Sequence, residues 1–375
     1  MTFKITQVNH ATVGSAYKSG GFKRLIKGNE WNCLWGKLAK DRYKQLESYQ
    51  KNNHIPGSFQ LGRKDSCARN IARMRRRVGN AKCVPFPRCY HLPNDLSELQ
   101  ADMESERQPM FIVKPNASSR GRGIRVISHK HEIPKKHRCL VQRYIANPFL
   151  VDGYKSDIRV YVTATSFDPL RLYIHDDGLV RFATEKYRPG TAHHKKKYAH
   201  ITNYSINKKR EKFVENVDEN SASSGSKWSL KAFRRYLREV RGIDDGKVWA
   251  GIKDTVVRTF LACESKIYTQ VKLQSAEGKC FEVWGVDILL DDELTPWLVR
   301  PPRPRSPHHS SSAPLRQVGA ETVDLLFWLR PPLWPFWGLA DRYRSVCRSR
   351  STRPRRCHLP RRSTRRSSAR CCRGC

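Results

Sequence analysis

Apolar positions along this chain change period several times, and each change marks an element. Between Arg63 and Gly79, Ile71, Met74 and Val78 recur at helical spacing with arginines on the other face, and Pro85 and Pro87 lie beyond the end. "LPNDLSELQADMESERQ" (92–108) has an Asp/Ser helix start and an apolar stripe at Leu96 and Leu99. It precedes a strand, "MFIVKP" (110–115), and "CLVQRYI" (139–145) reads as another. In "DIRVYVTAT" (157–165) and "LRLYIHDDGLVRFAT" (170–184) the period falls to that of a strand. Three antiparallel strands are expected there, the last two joined at Asp177-Gly178, a hairpin signal. Helical spacing returns in "SGSKWSLKAFRRYLREVRG" (224–242), with Trp228, Leu230, Phe233 and Leu237 inward, and in "GKVWAGIKDTVVRTFLACESKIYTQV" (246–271). A hairpin follows over 283–299: Val286, Ile288 and Leu290 alternate with Asp287, Leu289 and Asp291, then come an acidic turn and a short strand, Pro296–Val299.

This order predicts an α+β fold with a mostly antiparallel late sheet and no internal repeats. Residues 1–17 show little pattern and are expected to be loose. After Val299 Lys, Asn and Ile vanish, and Arg, Pro and Ser dominate. Proline cannot donate to a sheet ladder, so the last strand is expected to stop there. Residues 300–375 cannot bury enough apolar surface to offset their ordering entropy and are expected to be disordered.

Charge sharpens the partner class. The formal net charge is +38 over 375 residues. The segment from residue 300 onward holds 18 Arg, no Lys and three acids, which leaves it at +15 and the rest of the chain at +23. A basic body implies an acidic partner, whether nucleic acid, anionic membrane or acidic protein segment. The start "MTFKITQVNHATVG" has no apolar core of signal-peptide length, and no run approaches a membrane span, so no membrane association is expected. Of 12 cysteines, seven are scattered through the body, which suits a reduced cytosolic protein. The other five crowd into the tail around one CxxC, Cys372 and Cys375, without the remaining spacing of a zinc site.

Five stretches carry candidate chemistry, each beside a plainer reading. "KPNASSRGRGI" (114–124) follows a strand that delivers Lys114, and its glycines would let backbone amides approach phosphate. Lys114 would add a point charge and Arg120 a fork; the plainer reading is a flexible basic hairpin. "LVQRYI" (140–145) offers a strand edge to an adenine, or is an ordinary strand. "KSDIRVYV" (155–162) puts Asp157, Arg159 and Tyr161 on one sheet face, either as a site or as a solvated face with a weak surface ion pair. "HITNYS" (200–205) is a polar cluster or an Asx or Ser/Thr turn. Asp287, an acid within an apolar strand, needs a partner, either a metal or a backbone amide.

In order, these pieces resemble the tubulin tyrosine ligase-like family of ATP-grasp ligases, near its polyglutamylase branch. The pieces are "KPNASSRGRGI", "LVQRYIANPFLVDGYKSDIRVYV", "DGLVRFATEKY", "HITNYSINKK", "KWSL", "FEVWGVDILLD" and "PWLV", with "PGSFQLGRKD…NIARM" upstream. The likeness runs from about Lys18 to Val299. It implies an ATP-grasp ligase fold with N-terminal (18–92), central (93–145) and C-terminal (146–299) subdomains. It implies ATP and Mg²⁺ as cofactors. It implies that Lys114, Arg120 and Gly121 contact phosphate, and that Gln142, Arg143, Tyr144 and Ile145 form the adenine hinge. Lys155, Asp157, Thr202 and Asn203 match further nucleotide contacts, and Arg159 an active-site arginine. Arg181, Tyr204, Ser205 and Lys227 resemble the positions that hold free glutamate, and Asp287 resembles a magnesium ligand. The implied reaction adds glutamate to glutamate side chains of tubulin tails on microtubules, by a monomer in the cytoplasm, on the cytoskeleton or in the cilium or basal body.

The likeness breaks at Val299-Arg300-Pro301-Pro302. After "PWL" the family strand continues Leu/Val-Glu-Val-Asn, so Arg300 stands at the Glu position and Pro302 at the Asn position. Arginine repels a metal, and proline offers no side-chain oxygen. A frame change or a truncated isoform would produce such a junction. Three readings follow: a protein-glutamate ligase, a non-catalytic relative that binds nucleotide or microtubules, and a polyanion binder driven by the arginine tail. The third lacks any RNA-binding aromatic motif or zinc-finger spacing, so no specific nucleic acid is expected.

Overall fold

The computed structural model describes residues 1–6, 11–105, 109–115, 123–134, 138–202 and 227–304, all within one unit, Met1–Pro331. The architecture is mixed α/β with three sheets. The tail beyond residue 304, expected to be disordered, lies outside the described residues.

The first surprise is the start of the chain. Thr2–Ile5 is a strand (β1) and Ala11–Ser19 a helix (α1), not loose segments. With Lys23–Arg24 (β2), Cys33–Trp35 (β3) and Lys51–Asn52 (β4) they build a parallel sheet ordered β2-β1-β3-β4. Phe3 is fully buried and stacks on Tyr17, ring centroids 4.7 Å apart. A strand of four residues shows almost no period; its pairing partner about thirty residues away fixes it.

Phe59–Gly62 (α2) and Lys64–Val78 (α3) follow as helices. Ile71 is buried, with Met74 and Val78 half-buried against the same core, as the spacing predicts. Next comes a four-stranded antiparallel sheet of Cys89–Leu92 (β5), Phe111–Pro115 (β6), Arg125–Ile127 (β7) and Cys139–Arg143 (β8), ordered β5-β8-β6-β7. Leu96–Glu104 (α4) covers it with Leu99 and Met103. Cys89–Leu92 pairs with β8, so this sheet begins at Cys89.

The third sheet carries the site. It contains Leu150–Val151 (β9), Tyr154–Phe167 (β10), Leu170–Phe182 (β11), Lys227–Ser229 (β12), Glu282–Leu290 (β13) and Pro296–Pro304 (β14). The order is β12-β11-β10-β13-β14, with β9 on β10, all antiparallel. Between β11 and β12 the short helix Lys197–His200 (α5) sits beside β10. Leu230–Glu239 (α6) and Asp245–Leu273 (α7) then pack on the sheet. The main core joins these helices and α3 to the inner face of β10, β13 and β14 through Val160, Val162, Phe260, Trp284, Ile288 and Leu298.

Three expectations change here. First, β10 and β11 are two long strands, not three: the chain turns at Asp168-Pro169 and passes through Asp177-Gly178 within β11. Gly178 is needed for close approach rather than for a turn, since a Cβ there would lie 2.3 Å from Arg159 O. The extra residues are absorbed in a bulge opposite Tyr161, between the Val160–Gly178 and Val162–Ile174 pairs. Second, Trp228 belongs to a strand. The helix starts at Leu230, with Ser229 capping it through a bond from Ala232 N at 3.0 Å. Third, β14 does not stop at Val299 but runs through both prolines to Pro304. It is an edge strand in this sheet, where proline is tolerated.

Candidate active site

Strand registers alone gather the charged residues. β10 sets Asp157 opposite Arg181 of β11 and Arg159 opposite Asp287 of β13. β13 in turn sets Asp287 opposite Arg300 of β14. Alternation puts Asp157 and Arg159 on the same face, so two carboxylates and three guanidiniums interleave there. Arg181 Nε donates to Asp157 Oδ1 at 2.9 Å, and its second arm reaches both the other Asp157 oxygen and Asp287 Oδ1, the latter at 2.8 Å. Arg159 Nε donates to Asp287 Oδ1, and its Nη2 to Oδ2 at 3.0 Å. Arg300 Nη1 stands 3.7 Å from Asp287 Oδ2.

Both carboxylates are buried, Asp157 and Asp287 each at 3% exposure. The plainer reading of "KSDIRVYV", a solvated face with a weak ion pair, therefore fails. Burial works against the Asp287 charge, but Arg159 and Arg181 beside it, helped by Arg300, hold its carboxyl well below the usual carboxylate range. Burial likewise opposes the Arg181 charge, and Asp157 and Asp287 more than restore it. Gly285 makes this geometry possible. The Arg159 side chain lies across it, and a Cβ there would sit 2.8 Å from Arg159 Cδ. That role is absent from the sequence reading; the one signal for it is a glycine in an otherwise apolar buried strand.

Two buried lysines flank the face. Lys114, on β6, donates to Gln142 Oε1 and, at 2.8 Å, to Val299 O, so it spans from the second sheet to the third. Burial pushes its amine from 10.5 down to about 7, and Arg300, Lys64 and Lys155 push the same way. Lys155, on β10, is also pushed down to about 7, first by burial and further by Arg300, against the pull of Asp157. Its amine donates to Tyr144 Oη at 2.6 Å and lies 4.1 Å from the centroid of that ring. Tyr144 Oη lies 2.8 Å from His200 Nδ1, and His200 Nε2 lies 3.0 Å from His193 O. Burial holds the His200 imidazole down at about 4, hence neutral. A carbonyl only accepts, so Nε2 carries the proton and Nδ1 accepts from Tyr144. This chain from Lys155 to His193, with Tyr187 packed on His200 at 5.4 Å between ring centroids, is not legible in the sequence.

The remaining candidates divide. Gln142 is buried at 2% exposure, and its Nε2 has no hydrogen-bond partner among the described residues. An orphaned amide donor beside two buried lysines suits an anionic, polar ligand such as a nucleotide. Strand β8 is not an edge, however: β5 and β6 occupy both sides. Arg143 N goes to Arg88 O and Tyr144 N to Met110 O, both at 2.9 Å. Ile145 lies beyond the end of this strand. Lys227 pairs in register with Arg181, at the far side of the charged face. Thr202 is buried just after α5. Arg120, Gly121, Asn203, Tyr204 and Ser205 lie outside the described residues.

Magnesium does not fit this chain as it stands. Asp287 is where the resemblance puts it, but its oxygens face Arg159, Arg181 and Arg300. Among the described residues no group of three or more His, Cys, Asp or Glu side chains could hold a metal ion. A cation at the register position opposite Asp287 supplies repulsion where a second oxygen ligand is required.

A sequence profile described as the Tubulin-tyrosine ligase family matches residues 42–300. The tubulin monoglutamylase TTLL4 of Mus musculus is 40% identical over 328 residues, which is 87% of this chain and 27% of that protein. The tubulin polyglutamylase TTLL5 of Mus musculus is 36% identical over 80% of this chain and 23% of its own length. The tubulin polyglutamylase ttll6 of Danio rerio is 34% identical over 79% of this chain and 38% of its own length. The chain thus spans only a quarter to two-fifths of these relatives. With the profile covering most of its length and the charged face falling inside the matched region, the chain belongs to the tubulin-tyrosine ligase family.

Proposed function

We propose that this is an ATP-dependent protein-glutamate ligase acting on side-chain carboxylates in acidic tubulin tails, built as an ATP-grasp fold. In this reading the second and third sheets are its central and C-terminal lobes. The observation that carries the proposal is the face shared by β10, β11, β13 and β14: Arg159 and Arg181 clamped on Asp157 and Asp287, beside buried Lys114 and Lys155. An enclosed excess of cations suits a reaction that brings a triphosphate and two carboxylates together. Catalysis of phosphoryl transfer is mainly positioning and electrostatic stabilisation.

The acceptor carboxylate attacks the γ-phosphorus of ATP, ADP leaves, and an acyl-phosphate forms. The amine of free glutamate then attacks its carbonyl, the new C–N bond forms, phosphate departs with the C–O bond, and the amine proton passes to solvent. Lys114 and Lys155 hold phosphate oxygens, and Gln142 offers its unpartnered amide to the nucleotide. Arg159 steadies charge at the reacting centre, and Arg181 with Lys227 holds the free amino acid. The glutamylase activities of the relatives support glutamate as donor and tubulin as acceptor. The protein would work as a monomer in the cytoplasm, on the cytoskeleton or cilium.

A second reading has an observation of its own. Arg300 faces Asp287 where the family strand carries Glu, which favours a relative that binds nucleotide or microtubules without catalysis. Incorporation of labelled glutamate into tubulin tests both. The chain is compared with one carrying Arg300→Glu and Pro302→Asn and the C-terminal segment of a glutamylase relative. Incorporation by the repaired protein only is the expected result: it assigns the ligase chemistry to the fold and its interruption in this chain to Arg300 and Pro302. Incorporation by neither overturns the ligase reading, and equal incorporation by both overturns the non-catalytic one.

A further inference from the structure

The edge strand β14 brings a cation to the place where a metal would be needed. Arg300 stands opposite Asp287, with Nη1 3.7 Å from Oδ2. One residue earlier, Val299 O accepts from Lys114 Nζ at 2.8 Å. Lys64 Nζ donates to the backbone of the residue after Lys114, Pro115 O, at 2.8 Å. Lys155 lies on β10, two residues before Asp157, whose partner Arg181 also reaches Asp287. The downward shifts of Lys114 and Lys155 both include a push from Arg300, which places the three cations in one electrostatic neighbourhood.

A divalent cation at a phosphate site does two things. It neutralises oxyanion charge, and it ties the phosphate to a protein carboxylate. Arg300 is placed for both. A guanidinium has five N–H donors in a fixed fork, so one edge can face Asp287 while another meets a phosphate oxygen. Its charge is permanent, and the same charge excludes a metal from the Asp287 carboxylate.

We propose that Arg300 takes the place of the divalent cation in this chain, so that the cluster of Lys64, Lys114, Lys155 and Arg300 binds a nucleoside triphosphate in its metal-free form. This rests on the nucleotide reading above and specifies which species is bound. Complexed magnesium removes part of the ligand's negative charge, which a site already rich in fixed cations needs in full.

The test is calorimetric titration of the full chain with ATP, once in EDTA and once in excess MgCl₂. The expected result is tighter binding in EDTA, by about tenfold or more. Equal affinity in both, or binding that requires Mg²⁺, overturns the inference while leaving the nucleotide reading intact. Absence of binding under both conditions overturns the two together. In Arg300→Glu the preference should invert, with ATP bound more tightly in Mg²⁺. A preference for metal-free ATP that survives this substitution overturns the assignment to Arg300. If that variant does not fold, Arg300→Gln serves, with loss of the preference expected, and the comparison on the unsubstituted chain stands regardless.

Discussion

Arg159 depends on two glycines, one for its backbone and one for its side chain. A Cβ on Gly178 would meet Arg159 O at 2.3 Å, and one on Gly285 would meet Arg159 Cδ at 2.8 Å. Backbone in a paired strand cannot give way, whereas a long side chain can swing aside. Gly178→Ala should therefore destabilise the protein by about 1–3 kcal/mol, like other overpacked sites, and Gly285→Ala by less. Gly285→Ala should still lower ligase activity in the repaired protein, because Arg159 leaves Asp287. Denaturant melts and the incorporation assay measure both, and the reverse order of destabilisation would refute the distinction. The lysines give a pH prediction. Lys114 and Lys155 titrate at about 7 in the fold against an ordinary 10.5, so between these values the unfolded chain binds more protons. Their contribution makes the ligand-free protein more stable as pH rises from about 7 towards 10.5. ATP binding should move the opposite way, strengthening as pH falls through 7 and the amines gain charge. Melts and titrations from pH 6 to 9 check both signs, and Lys114→Met should flatten both trends. Alternation made the shared face of Asp157 and Arg159 readable in the sequence. Their burial was not readable, because it is imposed by strands more than a hundred residues further on.

Elements with a long period were legible and short ones were not. The helix Asp245–Leu273 repeats its apolar stripe over many turns, so its existence and its buried positions follow from spacing. Strand β1 has four residues and owes its place to β3 and to Tyr17. Phe3→Ala should cost about 3–5 kcal/mol, the range for truncating a fully buried aromatic side chain. A denaturant midpoint unchanged by this substitution would mean the N-terminal sheet contributes nothing. The Asp177-Gly178 pair shows the other limit. Its composition is that of a hairpin turn, yet the same glycine also serves where two backbones crowd, and local sequence does not separate the two uses. Trp228 makes the same point: expected as an inward residue of the helix that carries Leu230 and Phe233, it lies on a strand, where it packs on Phe182 at 5.0 Å between ring centroids.

At the scale of the molecule, an ordered series of short motifs carried the family, and the profile match over residues 42–300 bears it out. The basic body carried the expectation of an acidic partner, since a strong excess of one charge favours a counterpart of the other. The break at residue 300 was also legible, because proline and arginine are foreign to a strand expected to hold oxygen ligands. Its consequence was not legible. The sequence suggested that the strand stops at Val299; the structure carries it on through both prolines, since an edge strand has one side free of ladder bonds. By itself, then, the sequence determined which residues are charged, which are apolar and in what order, and these fix the family and the type of each long element. Only the tertiary structure decided that Arg159, Arg181 and Arg300 converge on one carboxylate. That convergence depends on the register of four strands, and register is set by long-range pairing and by bulges that local pattern does not encode.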